Sequence, residues 1–420
     1  MITVQELSLR IGPRELIHAA SFRVDRGMRI GLVGRNGAGK TTLTRLLAGE
    51  EVASDALSWE GTISRSGSVG YLPQDPRTGD LDQLARDRVL SARGIHEVLR
   101  RIRRAEDEMS TATGARRDRA MERYVRLDAE FTAQGGWAAE SEAARITANL
   151  GLPTRVLDQP LATLSGGQRR RVELARILFS DAETLLLDEP TNHLDHDSVV
   201  WLRDYLKAFA GGLVVISHDV ELLRATVNNV FHLDANRAEL DVYHLGWDAY
   251  LKAREDDEKR RRRERANAER KAGALLAQAD KMRAKATKAV AAQNMIRRAE
   301  RLLGELESER ASDKVAHLRF PDPAPCGKVP LSAADLSKSY GSLEVFTDVS
   351  LAIDRGSRVV VLGLNGAGKT TLLRLLAGIE RPDTGEVVPG HGLRLGYYAQ
   401  EHENLDLDAT VYENLRHAAP

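Results

Sequence analysis

Cysteine is almost missing from this chain: Cys326 is the only one in 420 residues. An intrachain disulfide, a multi-cysteine zinc site and a thiol relay are thereby excluded, and the usage fits a reducing compartment. Long hydrophobic runs are missing too. Nothing approaches the roughly 18 apolar residues of a membrane helix, and Met1-Ile2-Thr3-Val4 opens on strand-like sequence rather than a basic, then apolar, leader. A soluble, cytoplasmic protein is the expectation. Net charge is the third absence, with 61 Lys and Arg against 61 Asp and Glu. The chain as a whole therefore has no bulk attraction for nucleic acid or anionic membrane. The length suggests two or three domains, and a hydrophobic share of 42% is ample for their cores.

What is present is a glycine-rich loop, twice. Gly34-Arg35-Asn36-Gly37-Ala38-Gly39-Lys40-Thr41-Thr42 and Gly363-Leu364-Asn365-Gly366-Ala367-Gly368-Lys369-Thr370-Thr371 lie 329 residues apart, each after an apolar run that suits a buried strand. The same offset lays Leu336-Ser337 on Leu7-Ser8, Gly341 on Gly12, and Leu376-Ala377-Gly378 on Leu47-Ala48-Gly49. Two matches at equivalent positions make chance a poor account of either. The chain reads as a duplication.

Holding a triphosphate explains the residue types. Gly34, Gly37 and Gly39 let the backbone curl so that its N–H groups face phosphate oxygens at the positive end of the following helix. Lys40 adds a point charge, and Thr41 is placed to ligate Mg2+ together with an acid at the end of a neighbouring strand. Thr184-Leu185-Leu186-Leu187-Asp188 supplies that strand and that acid. Glu189 is the natural base for an attacking water. His218, after the apolar run 213–216, is placed to reach the γ-phosphate, and Gln74 to sense metal and water. In the second copy, Lys369, Thr370 and Gln400 take the matching roles. No pentapeptide or acidic strand end of its own follows before Pro420, so the second copy reads as partial.

Between the copies, charge is concentrated. Lys259 to Arg301 holds fifteen Lys and Arg against four Asp and Glu, a net +11. The segment lacks Pro, has glycine only at Gly273 and is rich in helix formers. Apolar residues three or four apart, from Leu275 and Ala279 to Leu302 and Leu306, suit a two-helix hairpin that turns near Gly273 or later, within 282–289. It carries no interleaved aromatics, so any nucleic-acid contact would be made to phosphates rather than by base stacking. A second insertion fills the 91 positions from Gln74 to Ser165. Ile95, Val98, Leu99, Ile102, Ala105 and Met109 predict one helix, Thr111 to Gly114 a turn, and Met121, Tyr124, Val125 and Phe131 a returning helix, with a net +4 over 93–126.

Leu164-Ser165-Gly166-Gly167-Gln168 resembles the signature of ATP-binding-cassette ATPases, and the residues above resemble their Walker A, Q-loop, Walker B and switch histidine. The resemblance covers both copies. Asp188-Glu189-Pro190-Thr191-Asn192-His193-Leu194-Asp195 is similar to the extended Walker B and D-loop of the ABC-F subgroup, which pairs two cassettes on one chain without membrane domains. The run 282–289, with Gln293 beyond it, resembles the basic tip of that subgroup's linker, and 243–250 the lead into it. The resemblance implies an α/β fold: a P-loop ABC ATPase cassette at 1–246 with a helical arm at about 82–135, a basic α-helical hairpin linker at 247–326, and a partial second P-loop cassette at 327–420. It implies ATP and Mg2+ as ligands, with each nucleotide sandwiched between one cassette's phosphate loop and the Ser165, Gly166, Gly167 and Gln168 type of signature from the other. It implies a ribosome partner, rRNA and P-site tRNA, reached through Lys259–Arg301. Cassettes would pair within one chain, or between two copies of this one. Tyr340 stands where cassettes place an aromatic residue against adenine, whereas its repeat partner is Ile11. A transporter's ATPase subunit is the alternative; the basic linker and the Asn192–Asp195 run argue against it.

Overall fold

The computed structural model describes residues 1–50, 57–74, 80–133, 135–283, 293–301, 325–341, 343–363, 366–399, 406 and 409–418. The sequence expectations at Asn365, Gln400 and 284–289 lie outside the described residues. Packing divides the chain into two units, Met1–Lys314 and Val315–Pro420.

The first unit carries β1 (Ile2–Ile11), β2 (Arg14–Val24), β3 (Arg29–Gly34), β4 (Leu57–Arg65), β5 (Val69–Leu72), β6 (Thr184–Asp188), β7 (Gly212–Ile216), β8 (Asn229–Asp234) and β9 (Glu239–Tyr243). β6 and β7 are buried at every position, as parallel strands covered on both faces require. They lie in a six-stranded sheet of order β5-β6-β7-β3-β8-β9, parallel except for β9 against β8. A three-stranded antiparallel sheet, β2-β1-β4, completes the strands. One apolar core joins β1 and β2 to the helix Lys40–Ala48 and one face of the large sheet; the other lies between that sheet and the helices beyond it. Since β6, β7 and β3 are adjacent and parallel, Asp188, Ile216 and Gly34 end side by side. Ligands bind at such carboxyl ends.

The helices His96–Thr111 and Ala115–Ala133 form the arm, reversing at Gly114 with φ of +61°. Ile102 and Ala105 on one helix, and Ala120, Leu127 and Phe131 on the other, are buried. Met121 and Val125 are not part of that face: they are 55% and 60% exposed. The returning stripe runs through Ala120, Tyr124, Leu127 and Phe131 at spacings of four, three and four, which leaves Met121 and Val125 on the opposite side.

A single helix, Trp247–Arg283, follows β9 and passes through Gly273 without interruption. The turn is therefore not at Gly273; helix continues to Arg283 and is present again over 293–301. Its root is set in the first unit's core, where Tyr250 is 1% exposed and lies edge-on to Tyr243 at 5.1 Å. Among the described residues no helix is long and apolar enough to cross a membrane.

The second unit holds β10 (Leu331–Tyr340), β11 (Leu343–Ile353) and β12 (Thr384–Pro389) in an antiparallel sheet of order β11-β10-β12, with the helix Lys369–Leu376 beside it. Its backbone repeats the first unit in detail. Positive φ angles at Glu6 and Ala19 recur 329 residues later at Asp335 and Asp348. One expectation fails. Residues 358–363, equivalent to β3, form no strand, and Val360 and Leu362 are 76% and 86% exposed. β3 takes its hydrogen bonds from β7 and β8; among the described residues of the second unit nothing pairs with 358–363, and an apolar run without ladder partners does not make a strand.

Candidate active site

The first phosphate loop leaves β3 at Gly34. A Cβ there would lie 2.6 Å from the Leu233 carbonyl oxygen on β8, so the loop can leave the sheet here only without a side chain. Gly39, at φ +100°, caps the helix Lys40–Ala48 and packs against Leu16, 2.9 Å from where a Cβ would stand. Lys40 Nζ bends back over the loop, donating to the carbonyls of Gly34 at 2.8 Å and Arg35 at 3.0 Å. Burial pulls its pKa down, against the opposing pull of Asp188 and Glu189.

Thr41 Oγ1 donates to Asp188 Oδ2 at 2.7 Å, joining the first turn of that helix to the end of β6. Burial raises the Asp188 pKa, although Thr41, Arg170 and Lys40 all act to lower it. A hydroxyl and a desolvated carboxylate at contact distance are hard oxygen donors of the kind Mg2+ takes alongside phosphate oxygens. The donor set fits that ion.

Glu189 follows in a left-handed conformation, φ +49°, with its side chain only 9% exposed. Its backbone N–H is held by the Ile216 carbonyl at 2.8 Å. Its carboxylate accepts from the His218 backbone N–H at 3.3 Å and lies 3.4 Å from His218 Nε2. Burial raises the Glu189 pKa, while His218 acts to lower it. A buried carboxylate held beside an imidazole, its pKa raised, is a better proton acceptor than an ordinary exposed one.

These groups share one cleft of about 430 Å³, lined by Asn36, Gly37, Gly39, Lys40, Thr41, Thr42, Gln74, Asp188, Glu189 and His218, together with Ile11, Leu16, Asn192 and Ile216. Ten residues singled out from sequence thus converge. Gln74 follows β5 and is exposed at the mouth. Ser165, Gly166, Gly167 and Gln168 do not line this cleft. They form the N-terminus of the helix Gly166–Leu178, closed by a capping box in which Ser165 Oγ accepts from the Gln168 N–H at 3.2 Å and Gln168 Oε1 accepts from the Ser165 N–H at 3.0 Å.

In the second unit Lys369 Nζ donates to the Gly363 carbonyl at 2.8 Å, the counterpart of the Lys40–Gly34 contact. Gly366 and Gly368 have φ of +85° and +81°, and Thr370 and Thr371 lie in the first turn of the helix Lys369–Leu376. Tyr340 ends β10, half-exposed, and donates to Glu380 Oε1 at 2.6 Å. Its repeat partner Ile11 borders the first cleft.

Sequence reasoning did not single out Arg170. This arginine is 5% exposed, and its Nη2 donates to the carbonyls of both Asp188 and Glu189 at 2.9 Å, while Nη1 donates to the carbonyl of Gln74. A signal was available: Arg170 stands four, seven and eight residues before Leu174, Ile177 and Leu178, on the helix's buried face.

Comparison with known proteins yields a consistent picture. A family profile described as ABC transporter matches residues 17–192 and 346–419, and a second profile with the same description matches 233–320. The chain is 32% identical over 421 residues to "Probable ATP-binding protein YheS" of Escherichia coli (strain K12), covering 100% of this chain and 63% of that protein. It is 33% identical over 409 residues to "Energy-dependent translational throttle protein EttA" of Haemophilus influenzae, covering 96% and 70%. It is 31% identical over 425 residues to "ATP-binding cassette sub-family F member 3" of Homo sapiens, covering 100% and 57%. Against the first of these the chain spans less than two thirds of the relative's length.

Proposed function

This chain belongs to the ABC-F family of ATP-binding-cassette proteins, and from that premise we propose that it binds Mg2+ and ATP in the Lys40 cleft, hydrolyses the ATP with Glu189, and acts on the ribosome. The observation that carries the reading is the convergence in one cleft of a phosphate loop, the Thr41–Asp188 pair and the Glu189–His218 pair.

On binding, Lys40 exchanges the carbonyls of Gly34 and Arg35 for phosphate oxygens, and the loop N–H groups take the remaining phosphate charge. Thr41 and Asp188 hold Mg2+, which when bound neutralises charge on the phosphates. Glu189 orients the attacking water and takes its proton; His218 keeps the carboxylate turned inward. Ile11 and Leu16 give the base an apolar wall. In the second cassette Gly363, Asn365, Gly366, Gly368, Lys369, Thr370, Thr371 and Gln400 serve a second nucleotide, with Tyr340 against its base and Ser165–Gln168 as the facing signature. Binding then acts as differential glue between cassettes, and hydrolysis releases it.

We read residues 1–246 as the first cassette, 247–326 as the linker and 327–420 as second-cassette sequence. The linker is the ribosome-facing element, directed at rRNA and P-site tRNA. In support, a relative carries the name translational throttle, and the linker helix exposes Arg262, Arg263 and Arg270. Several cations nearer its root are matched by acids, as Lys259 is by Glu255 at 2.7 Å and Arg265 by Glu269 at 2.9 Å.

Co-sedimentation with ribosomes, with and without ATP, tests the reading, using Glu189→Gln in this chain and in one extended to its relatives' length. ATP-dependent pelleting is expected. Nucleotide binding without pelleting of either chain would instead favour a transporter's ATPase subunit.

A further inference from the structure

We propose that Arg170 is a positioning residue for the metal side of the nucleotide site, fixing Asp188, Glu189 and Gln74 relative to one another through their backbones. The inference rests on the nucleotide-site reading above and deepens it.

The geometry is specific. Asp188 ends β6 and Gln74 follows β5, its sheet neighbour, so both emerge at the same edge. Past Asp188 the chain leaves the ladder and enters the left-handed turn at Glu189, a conformation that costs energy for a side-chain-bearing residue and persists only where its surroundings impose it. The Ile216 carbonyl fixes the turn by its N–H. Arg170 fixes it by its carbonyls: Nη2 spans those of Asp188 and Glu189, and Nη1 reaches across to that of Gln74. A planar guanidinium can hold three acceptors in one plane, whereas an ammonium on a flexible stem acts as a single point charge.

The helix that bears Arg170 adds a constraint. Its first turn is closed by the Ser165–Gln168 capping box, and one turn further along it is braced by Glu173, which pairs with Arg88 and Arg176. The guanidinium is thus delivered from a rigid element rather than a loop. Three carbonyls on two segments, and the two carboxylates those segments carry, depend on it, although Arg170 itself does not line the cleft.

The test separates positioning from folding. Binding of the fluorescent nucleotide mant-ATP is titrated in Mg2+ and in EDTA for the parent chain, Arg170→Met and Arg170→Lys, with Tm measured for each. The ratio of the two affinities reports how well the site holds the metal, and a general loss of stability would shift both affinities together. The expected result is a fall of about 10- to 100-fold in the Mg2+ enhancement for Arg170→Met, the range found when groups behind a metal ligand are removed. Metal-free binding through the phosphate loop should be retained. Arg170→Lys should recover part of the enhancement, and it decides the matter alone should the Met variant fail to fold. An unchanged enhancement in a folded variant of a parent that binds nucleotide overturns the inference. Absence of nucleotide binding by the folded parent chain overturns the site reading and the inference with it.

Discussion

Thr41 Oγ1 and Asp188 Oδ2 stand 2.7 Å apart across 147 residues of sequence, a direct join between the phosphate loop's helix and the strand that carries the acids. Thr41→Val keeps the shape and removes the donor. It should abolish the Mg2+ enhancement of mant-ATP binding while Thr41→Ser retains it. Equal enhancement in the Val and Ser variants would count against the metal role.

Glu189→Gln should preserve nucleotide binding and slow turnover by about 10²- to 10⁴-fold, the usual share of a general base. Turnover is best read in a chain extended to the length of its relatives, of which this one spans 63% in the case of YheS. Unchanged hydrolysis at the Lys40 site would remove Glu189 from its proposed role.

Asp241 joins the linker's root to the first unit. It accepts from Arg237 and lies 3.5 Å from Arg261 of the linker helix. Burial works against its charged form, but His232, Arg237 and Arg261 together lower its pKa from 3.8 to about 2. A depressed carboxylate pKa contributes stability that is present above the unfolded value and is lost as pH falls through the folded one. Asp241→Asn should therefore destabilise the chain at pH 7, by about 1–2 kcal/mol once solvent screening is allowed for. The difference between variant and parent should shrink from about pH 4 down to about 2. Urea titrations at pH 7, 4 and 3 would show it; a gap independent of pH would assign the loss to packing.

Gly273 lies in the middle of the linker helix, exposed, and a Cβ there meets no atom within 4 Å. Gly273→Ala should raise helix stability by about 0.5–1 kcal/mol. Helical circular dichroism on heating would detect it, and a lower Tm would show that the helix needs the glycine.

Replacing Lys281, Arg283, Lys285 and Lys288 with Ala should weaken ribosome binding and reduce the slope of log affinity against log salt by up to about 3 units, if each touches one phosphate. An unaltered slope would place the contact elsewhere.

Legibility followed from how local each signal was. The loop 34–42 could be read because its glycines answer to backbone conformation and its lysine and threonine follow at fixed spacing. The strands at 184–188 and 213–216 could be read because burial on both faces demands unbroken apolar sequence. The arm's helices and its turn at Gly114 were legible from periodicity, and Tyr124 and Phe131 lie on the returning stripe as expected, but Met121 and Val125 satisfy a helical period as well as Ala120 and Leu127 do, and only the partner helix selects between them. The strand expected at 358–363 is the converse case, since its apolar run is as good as that of β3.

Sequence by itself determined the duplication, the two phosphate loops, the acids at 188 and 189, and the basic helix between the copies, because each is a matter of residue type at short spacing. Tertiary structure alone decided that Lys40, Asp188, Glu189, His218 and Gln74 share one cleft, since that depends on β5, β6, β7 and β3 lying side by side in parallel. It also decided the part played by Arg170. Its spacing to Leu174, Ile177 and Leu178 sets it on the buried face of its helix, but hydrogen-bond partners 18, 19 and 96 residues away leave no local trace.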